Sequence, residues 1–111
     1  MHYVGKRVRG WAGAQLIFEI ADWDFNWQDR YWYRRPIRLR AGTRLSAEFV
    51  YDNSSANVRN PSHPPRRVTW GFGVTDEMAG LHFQVVPVRE SDREELGQTL
   101  WGKMMRLLGG R

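Results

Sequence analysis

Cysteine is missing from this 111-residue chain. Its absence excludes disulfides, thiolate metal sites and thiol nucleophiles, and leaves the compartment open. Long apolar runs are missing too. No stretch approaches the ~18 residues that a membrane span requires, so no transmembrane segment is expected. The start, Met1-His2-Tyr3-Val4-Gly5-Lys6, has no apolar signal region, and no secretion leader is expected there. Histidine is scarce, with only His2, His63 and His82. A transition-metal site must therefore draw on these three, on Met1, Met78, Met104 and Met105, and on carboxylates. Internal repeats and low-complexity segments are absent. What is present is 41% hydrophobic and 14% aromatic residues, which fits one globular domain. A chain of this size buries roughly two-thirds of its unfolded surface. The net charge is +5, from 17 Lys+Arg against 12 Asp+Glu, and the excess is mostly arginine. A basic, aromatic-rich chain raises nucleic acid as a partner. The simpler reading is a basic solvated surface, with no clear nucleic-acid partner.

Strand signals dominate the first three-quarters of the chain. Tyr3 to Arg9 reads as a strand, Gly10 to Gly13 as a turn, and Gln15 to Ile20 as a second strand. The apolar run Leu16-Ile17-Phe18 suits a strand covered on both faces, or one that changes faces at a bulge. Tyr31 to Tyr33 and Ile37 to Leu39 read as short strands around Pro36, which demotes them to an edge or a bend. Arg44 to Tyr51 has the cleanest period of two, with Leu45, Ala47, Phe49 and Tyr51 on one face. Asp52 to Pro65 reads as a long loop, of a length that is usually functional or disordered in compact domains. Asp52-Asn53-Ser54 should form an Asx-type turn. Asn53-Ser54-Ser55 also matches a glycosylation sequon. Arg67 to Phe72 and Leu81 to Val88 read as further strands. After Pro87, Ser91 and Glu94 have capping-box spacing. Leu96, Leu100, Trp101, Met104, Leu107 and Leu108 then follow helical spacing, up to a stop at Gly109-Gly110. Short strands with turn signals favour a small antiparallel sandwich or barrel, with an appended amphipathic helix.

Several side chains invite chemistry. Thr75-Asp76-Glu77-Met78 lies between two of the expected strands and ends in a thioether, a soft ligand preferred by Cu(I). His2 is its clearest partner, since both residues fall at strand ends. Against this, a lone methionine is usually core packing and a lone histidine usually a hydrogen-bonded or surface residue. Ser62-His63 suggests a hydrolase, but adjacent residues rarely pair as nucleophile and base, and no G-x-S-x-G elbow is present. His82 reads as a solvent-facing strand residue. Asp22, Asp24, Asp76 and Glu77 lack the spacing of a calcium loop. Trp23, Phe25, Trp27, Tyr31, Trp32 and Tyr33 form a belt interleaved with Arg30, Arg34 and Arg35. Bases or sugars can stack on such a belt. The competing expectation is that alternate rings fill the core and the arginines cover their edges.

Taken in order, several segments resemble one family. They are Trp23-Asp24-Phe25-Asn26-Trp27-Gln28, Gly42-Thr43, Tyr51-Asp52-Asn53-Ser54, Asn57, Asn60-Pro61, Pro64-Pro65, Val68, Trp70-Gly71 and Thr75-Asp76-Glu77-Met78. The resemblance is to the C-terminal domain of the copper type II, ascorbate-dependent monooxygenases, which include peptidylglycine α-hydroxylating monooxygenase and dopamine β-monooxygenase. Bacterial relatives that attach this domain to redox modules are the nearest in character. The resemblance covers Met1 to Val88. It implies an antiparallel jelly-roll β-sandwich over residues 1–88, followed by a helical tail over 89–111. It also implies a copper site where O2 is activated for hydroxylation of a small-molecule substrate. The family's ligands are the two histidines of a His-x-His motif, followed by Gly-Lys, and the methionine of Asp-Glu-Met. Carried across, His2 matches the second histidine, Gly5-Lys6 follows it, and Met78 matches the methionine. The first histidine would fall one residue before Met1, and the family's N-terminal copper domain has no counterpart here. The cysteine that often follows the family methionine is Ala79 in this chain. The resemblance thus implies an incomplete or inactive copper monooxygenase-like domain, shortened at its N-terminus. The alternatives are a non-catalytic structural or interaction domain, and a nucleic-acid or glycan-binding module built on the Trp/Arg belt.

Overall fold

The computed structural model describes residues 1–109. Residues 110 and 111, which include the second half of the expected Gly109-Gly110 stop, lie outside the described residues, as does the Leu108 side chain. The chain divides into two compact units, Met1–Leu81 and His82–Arg111.

The first unit is built on an antiparallel sheet of three strands, β1 (Gly5–Ala12), β2 (Gln15–Ile20) and β3 (Leu45–Tyr51), in the order β2-β1-β3. Strand β1 takes the centre, pairing with β2 on one side and β3 on the other. Val4, Val8 and Ala12 are the buried apolar side chains, and Gly5 and Gly10 are buried beside them. The β1–β2 hairpin turns through Gly13-Ala14. Gly13 has φ +59, a positive angle that glycine adopts without steric penalty at the first of two loop positions. The turn is therefore shorter than the expected Gly10 to Gly13, and Gly10 and Trp11 belong to the strand. Opposite them, Phe18 pairs with Gly10 and Leu16 with Trp11, which leaves Ile17 as the extra residue of a bulge. That bulge is how β2 carries three apolar residues in succession. A second irregularity at Gly5/Arg7 leaves Lys6 unpaired against β3.

The jelly-roll sandwich is not what forms. The structure is an open three-stranded sheet with a C-terminal helix. The segments expected as strands at 31–33, 37–39, 67–72 and 81–88 have no ladder partner beyond a single parallel bridge, Trp70–Glu77. Alternating polarity alone is not enough, because a strand also needs a neighbour to receive its N–H and C=O groups. Without a second layer the regular face of β3 is only partly covered: Leu45 and Tyr51 are exposed and Phe49 is half-buried. Among the described residues no large side chain is fully buried.

Residues 52–66 form a loop organised by asparagines. Ser54 N–H donates to Asp52 Oδ1 (3.0 Å), the expected Asx turn. Asn57 Nδ2 donates to the Asp52 carbonyl (2.7 Å), Asn53 Nδ2 to the Arg66 carbonyl (2.8 Å) and the buried Asn60 Nδ2 to Asn53 Oδ1 (2.9 Å). Side-chain amides here satisfy backbone groups that no ladder reaches.

In the second unit a short 3-10 turn, Glu90–Asp92, leads into α1 (Arg93–Gly109). Ser91 does not cap the helix. Its hydroxyl donates to Asp92 Oδ1 (3.0 Å), while Arg93 pairs with Glu90 and Arg89 with Asp92. Acidic residues in the first turn and Arg106 in the last suit the helix dipole. Leu100, Trp101, Met104, Met105 and Leu107 are exposed. No helix among the described residues is long and apolar enough to cross a membrane.

Candidate metal site

The two ends of the first unit meet at His2. The chain enters through a turn closed by Gly5 N–H donating to the His2 carbonyl (3.2 Å). Gly5 is required in this turn: a Cβ on it would stand 2.7 Å from Met1 Cβ and 2.9 Å from Trp23 Cδ1. The turn sets His2 against a second loop, 70–77, which folds back on itself. Glu77 N–H donates to the Thr69 carbonyl (2.9 Å), Gly71 N–H to the Glu77 carbonyl (3.2 Å) and Asp76 N–H to the Gly73 carbonyl (2.9 Å). The Asp76 carboxylate lies inside this loop and accepts from Gly73 N–H (3.3 Å). A Cβ on Gly71 would collide with it. Glycine at 71 is thus a matter of space around Asp76.

Three hydrogen bonds join the loops. His2 N–H donates to Glu77 Oε2 (2.7 Å) and Val4 N–H to Glu77 Oε1 (3.0 Å). His2 Nδ1 lies 2.8 Å from the Asp76 carbonyl, 74 residues away in sequence. A carbonyl oxygen only accepts, so Nδ1 carries the proton, and in the neutral ring the lone pair is on Nε2. His2 is buried, with its ring edge-on to Phe25 at 5.2 Å. Burial pushes the Met1 α-amine below its ordinary value, partly opposed by the Glu77 carboxylate. Burial, reinforced by the same carboxylate, pushes the Tyr51 phenol up.

The expected site residues are therefore drawn towards one another, but unequally. His2 touches Asp76 and Glu77, the two residues immediately before Met78. Met78 is half-buried and lines an open cleft of about 550 Å³ together with Val4, Tyr51, Arg67, Trp70 and Glu77. His2 does not line that cleft. Asp76 and Glu77 spend their carboxylates on backbone amides, and this fits loop shaping rather than ligation. The sequence motif suggests loop shaping by Asp76 and Glu77 rather than ligation, but the partners of Glu77, the His2 and Val4 amides, went unread. The signal for those partners was thin, a pair of acids before a methionine. His63 and His82 are exposed, and among the described residues no group of three or more His, Asp or Glu is arranged to hold a metal ion.

The two expected ligands are an imidazole and a thioether, donor types that favour Cu(I) over hard divalent ions. A ligating histidine that gives its other N–H to a backbone carbonyl is a common support for a metal. No family model, no curated protein and no solved structure matches the chain.

Proposed function

We propose that the His2 turn and the Asp76-Glu77-Met78 loop form a copper(I)-binding corner of a monooxygenase-like domain. The observation that carries the reading is the His2 Nδ1–H bond to the Asp76 carbonyl. It fixes Nε2 as the available donor and ties the histidine to the loop that bears Met78. The resemblance placed these two residues in one site from sequence alone, and the loops that hold them are hydrogen-bonded here. Copper held there would supply redox chemistry towards O2, and hydroxylation of an activated C–H bond in a small molecule is the activity the resemblance implies. The chain's own contribution is narrower. Asp76 orients the imidazole, Glu77 fixes the backbone beneath it, and the cleft beside Met78 offers a place for an organic substrate. Two donors leave the coordination shell open. A further ligand and a second source of electrons, from a copper or redox partner domain, complete the proposal.

The test is anaerobic titration of the purified chain with Cu(I) against a coloured chelator. One equivalent should be retained, and X-ray absorption should show both a sulfur and a nitrogen neighbour. Met78→Leu keeps the volume and removes the sulfur, so it should abolish the sulfur shell and weaken retention at least about tenfold, since even an outer-shell partner of a metal contributes that much. Equal retention by the parent chain, Met78→Leu and His2→Ala would sink the copper reading in favour of a non-catalytic domain.

A further inference from the structure

Trp23 and Phe25 are half-buried, but the later rings of the aromatic belt do not fill the core. Trp27 is 72% exposed and Trp32 is 73% exposed, and Tyr31 and Tyr33 are also on the surface. The segment is nevertheless fixed to the sheet. Tyr33 Oη donates to the Ile17 carbonyl (2.7 Å), and Tyr31 packs edge-on against Phe18 with centroids 5.4 Å apart. Both anchors sit on the edge strand β2, at and beside its bulge. Trp27 N–H donates to the Asp24 carbonyl (3.1 Å) and closes the turn that precedes the segment.

Beyond Asp29 the charge along this segment is all of one sign. Arg30, Arg34, Arg35, Arg38, Arg40 and Arg44 occur without one acid between residues 30 and 47. All six arginines are exposed, and none is in an ion pair among the described residues. From 30 to 44 there is no Asp, Glu, Asn, Gln or Ser side chain. Arginine donates and never accepts. A ligand here must bring its own acceptors and negative charge, together with flat surfaces for two exposed indoles. Sugar hydroxyls need acceptors as well as donors, and this segment offers almost none. A duplex hides its base faces in the stack, whereas a single strand presents both phosphates and free base faces.

We infer that residues 27–44, pinned to β2 through Tyr31 and Tyr33, bind single-stranded nucleic acid. Trp27 and Trp32 stack on bases, and the arginine row contacts phosphates. The inference is independent of the copper reading, and the test uses a chelator throughout so that metal plays no part.

Fluorescence anisotropy of labelled oligothymidylate, titrated with the full chain at several salt concentrations, reads it. Binding should quench tryptophan emission and weaken steadily as salt rises. Trp32→Ala should lower affinity about fivefold to a hundredfold, the range for losing one stacked base. Replacing Arg34 and Arg35 with Ala should reduce the magnitude of the slope of log K against log salt by about 1.4. Circular dichroism checks that both variants keep the parent fold, and Trp27→Ala serves as a second stacking variant should Trp32→Ala unfold. Absence of binding at low salt overturns the inference. So does equal binding of duplex DNA or heparin with both tryptophan variants unimpaired, which would mark a general polyanion patch.

Discussion

Glu77 is the residue on which the N-terminal turn depends. Its two carboxylate oxygens accept from the backbone N–H groups of His2 and Val4, both of which are buried residues. These amides belong to no sheet ladder, so the carboxylate is what replaces water for them. Bonds from N–H to an ionised oxygen are stronger than neutral ones. In Glu77→Gln one acceptor becomes an NH2 group that faces another donor. We expect unfolding free energy to fall by about 1–3 kcal/mol, the cost of a buried donor left unpaired. Urea denaturation measures it, and an unchanged midpoint would mean that water reaches these amides. Asp76→Asn makes the contrast. The Asp76 carboxylate accepts one longer bond from Gly73 within its own loop (3.3 Å), so its loss should cost less. Gly71 belongs to the same account, because its missing Cβ is the space the Asp76 carboxylate occupies.

At the scale of elements, α1 carries a correctable weakness. Gly97 and Gly102 lie in the interior of a 17-residue helix whose apolar residues are largely exposed. A Cβ at Gly97 meets nothing within 4 Å, and at Gly102 it meets only the end of the flexible Arg106 side chain at 3.9 Å. Each glycine costs about 1 kcal/mol of helix stability relative to alanine. The double substitution to alanine should therefore deepen the 222 nm ellipticity and raise the temperature at which it is lost. The elements also show why some of the fold was legible and some was not. β2 was readable with its bounds because Gly13 and the apolar run mark a hairpin, and β3 within one residue because its period of two is clean. The helix was readable from its spacing, but its start was not: Ser91 and Glu94 have capping-box spacing, yet neighbouring ion pairs of Arg89 and Arg93 organise that turn instead. Segments 67–72 and 81–88 alternate as well as real strands do. What they lack is a partner, and pairing depends on distant chain that a local pattern does not encode. The site divides in the same way. His2 and Met78 stood out by residue type, whereas the Glu77 clamp depends on a fold that brings residue 77 beneath residue 2. The arginine row was visible as composition, but the exposure of Trp27 and Trp32 was not, since core and surface rings look alike in sequence.

At the scale of the whole first unit, closure without a second sheet depends on loop-to-loop contacts, among them the Arg59–Asp22 pair. Arg59 contacts both oxygens of the Asp22 carboxylate, at 2.9 and 3.2 Å, and also donates to the Trp23 carbonyl. It thereby fastens the 52–66 loop to the start of the aromatic segment. The hydrogen bond from Arg59, followed by its charge, holds the Asp22 carboxyl below its usual value. Asp52 is likewise held low by its hydrogen bonds from Ser54. Because each group binds its proton more weakly in the folded chain than in the unfolded one, its contribution is complete above the unfolded value of about 3.9. That contribution disappears as pH falls through the folded value, when the unfolded chain takes up protons first. The folded chain already carries a positive excess, and protonation adds to its self-repulsion. The contribution of these two carboxylates should therefore be level near neutrality and decline on acidification below about pH 4. Asp22→Asn cannot titrate and offers Arg59 only a neutral acceptor. Its melting temperature should lie below that of the parent at pH 6, and the gap should narrow towards pH 3. Thermal melts of both chains across that range check the prediction. A gap that stays constant with pH would show that the pair contributes through packing of the arginine stem rather than through charge.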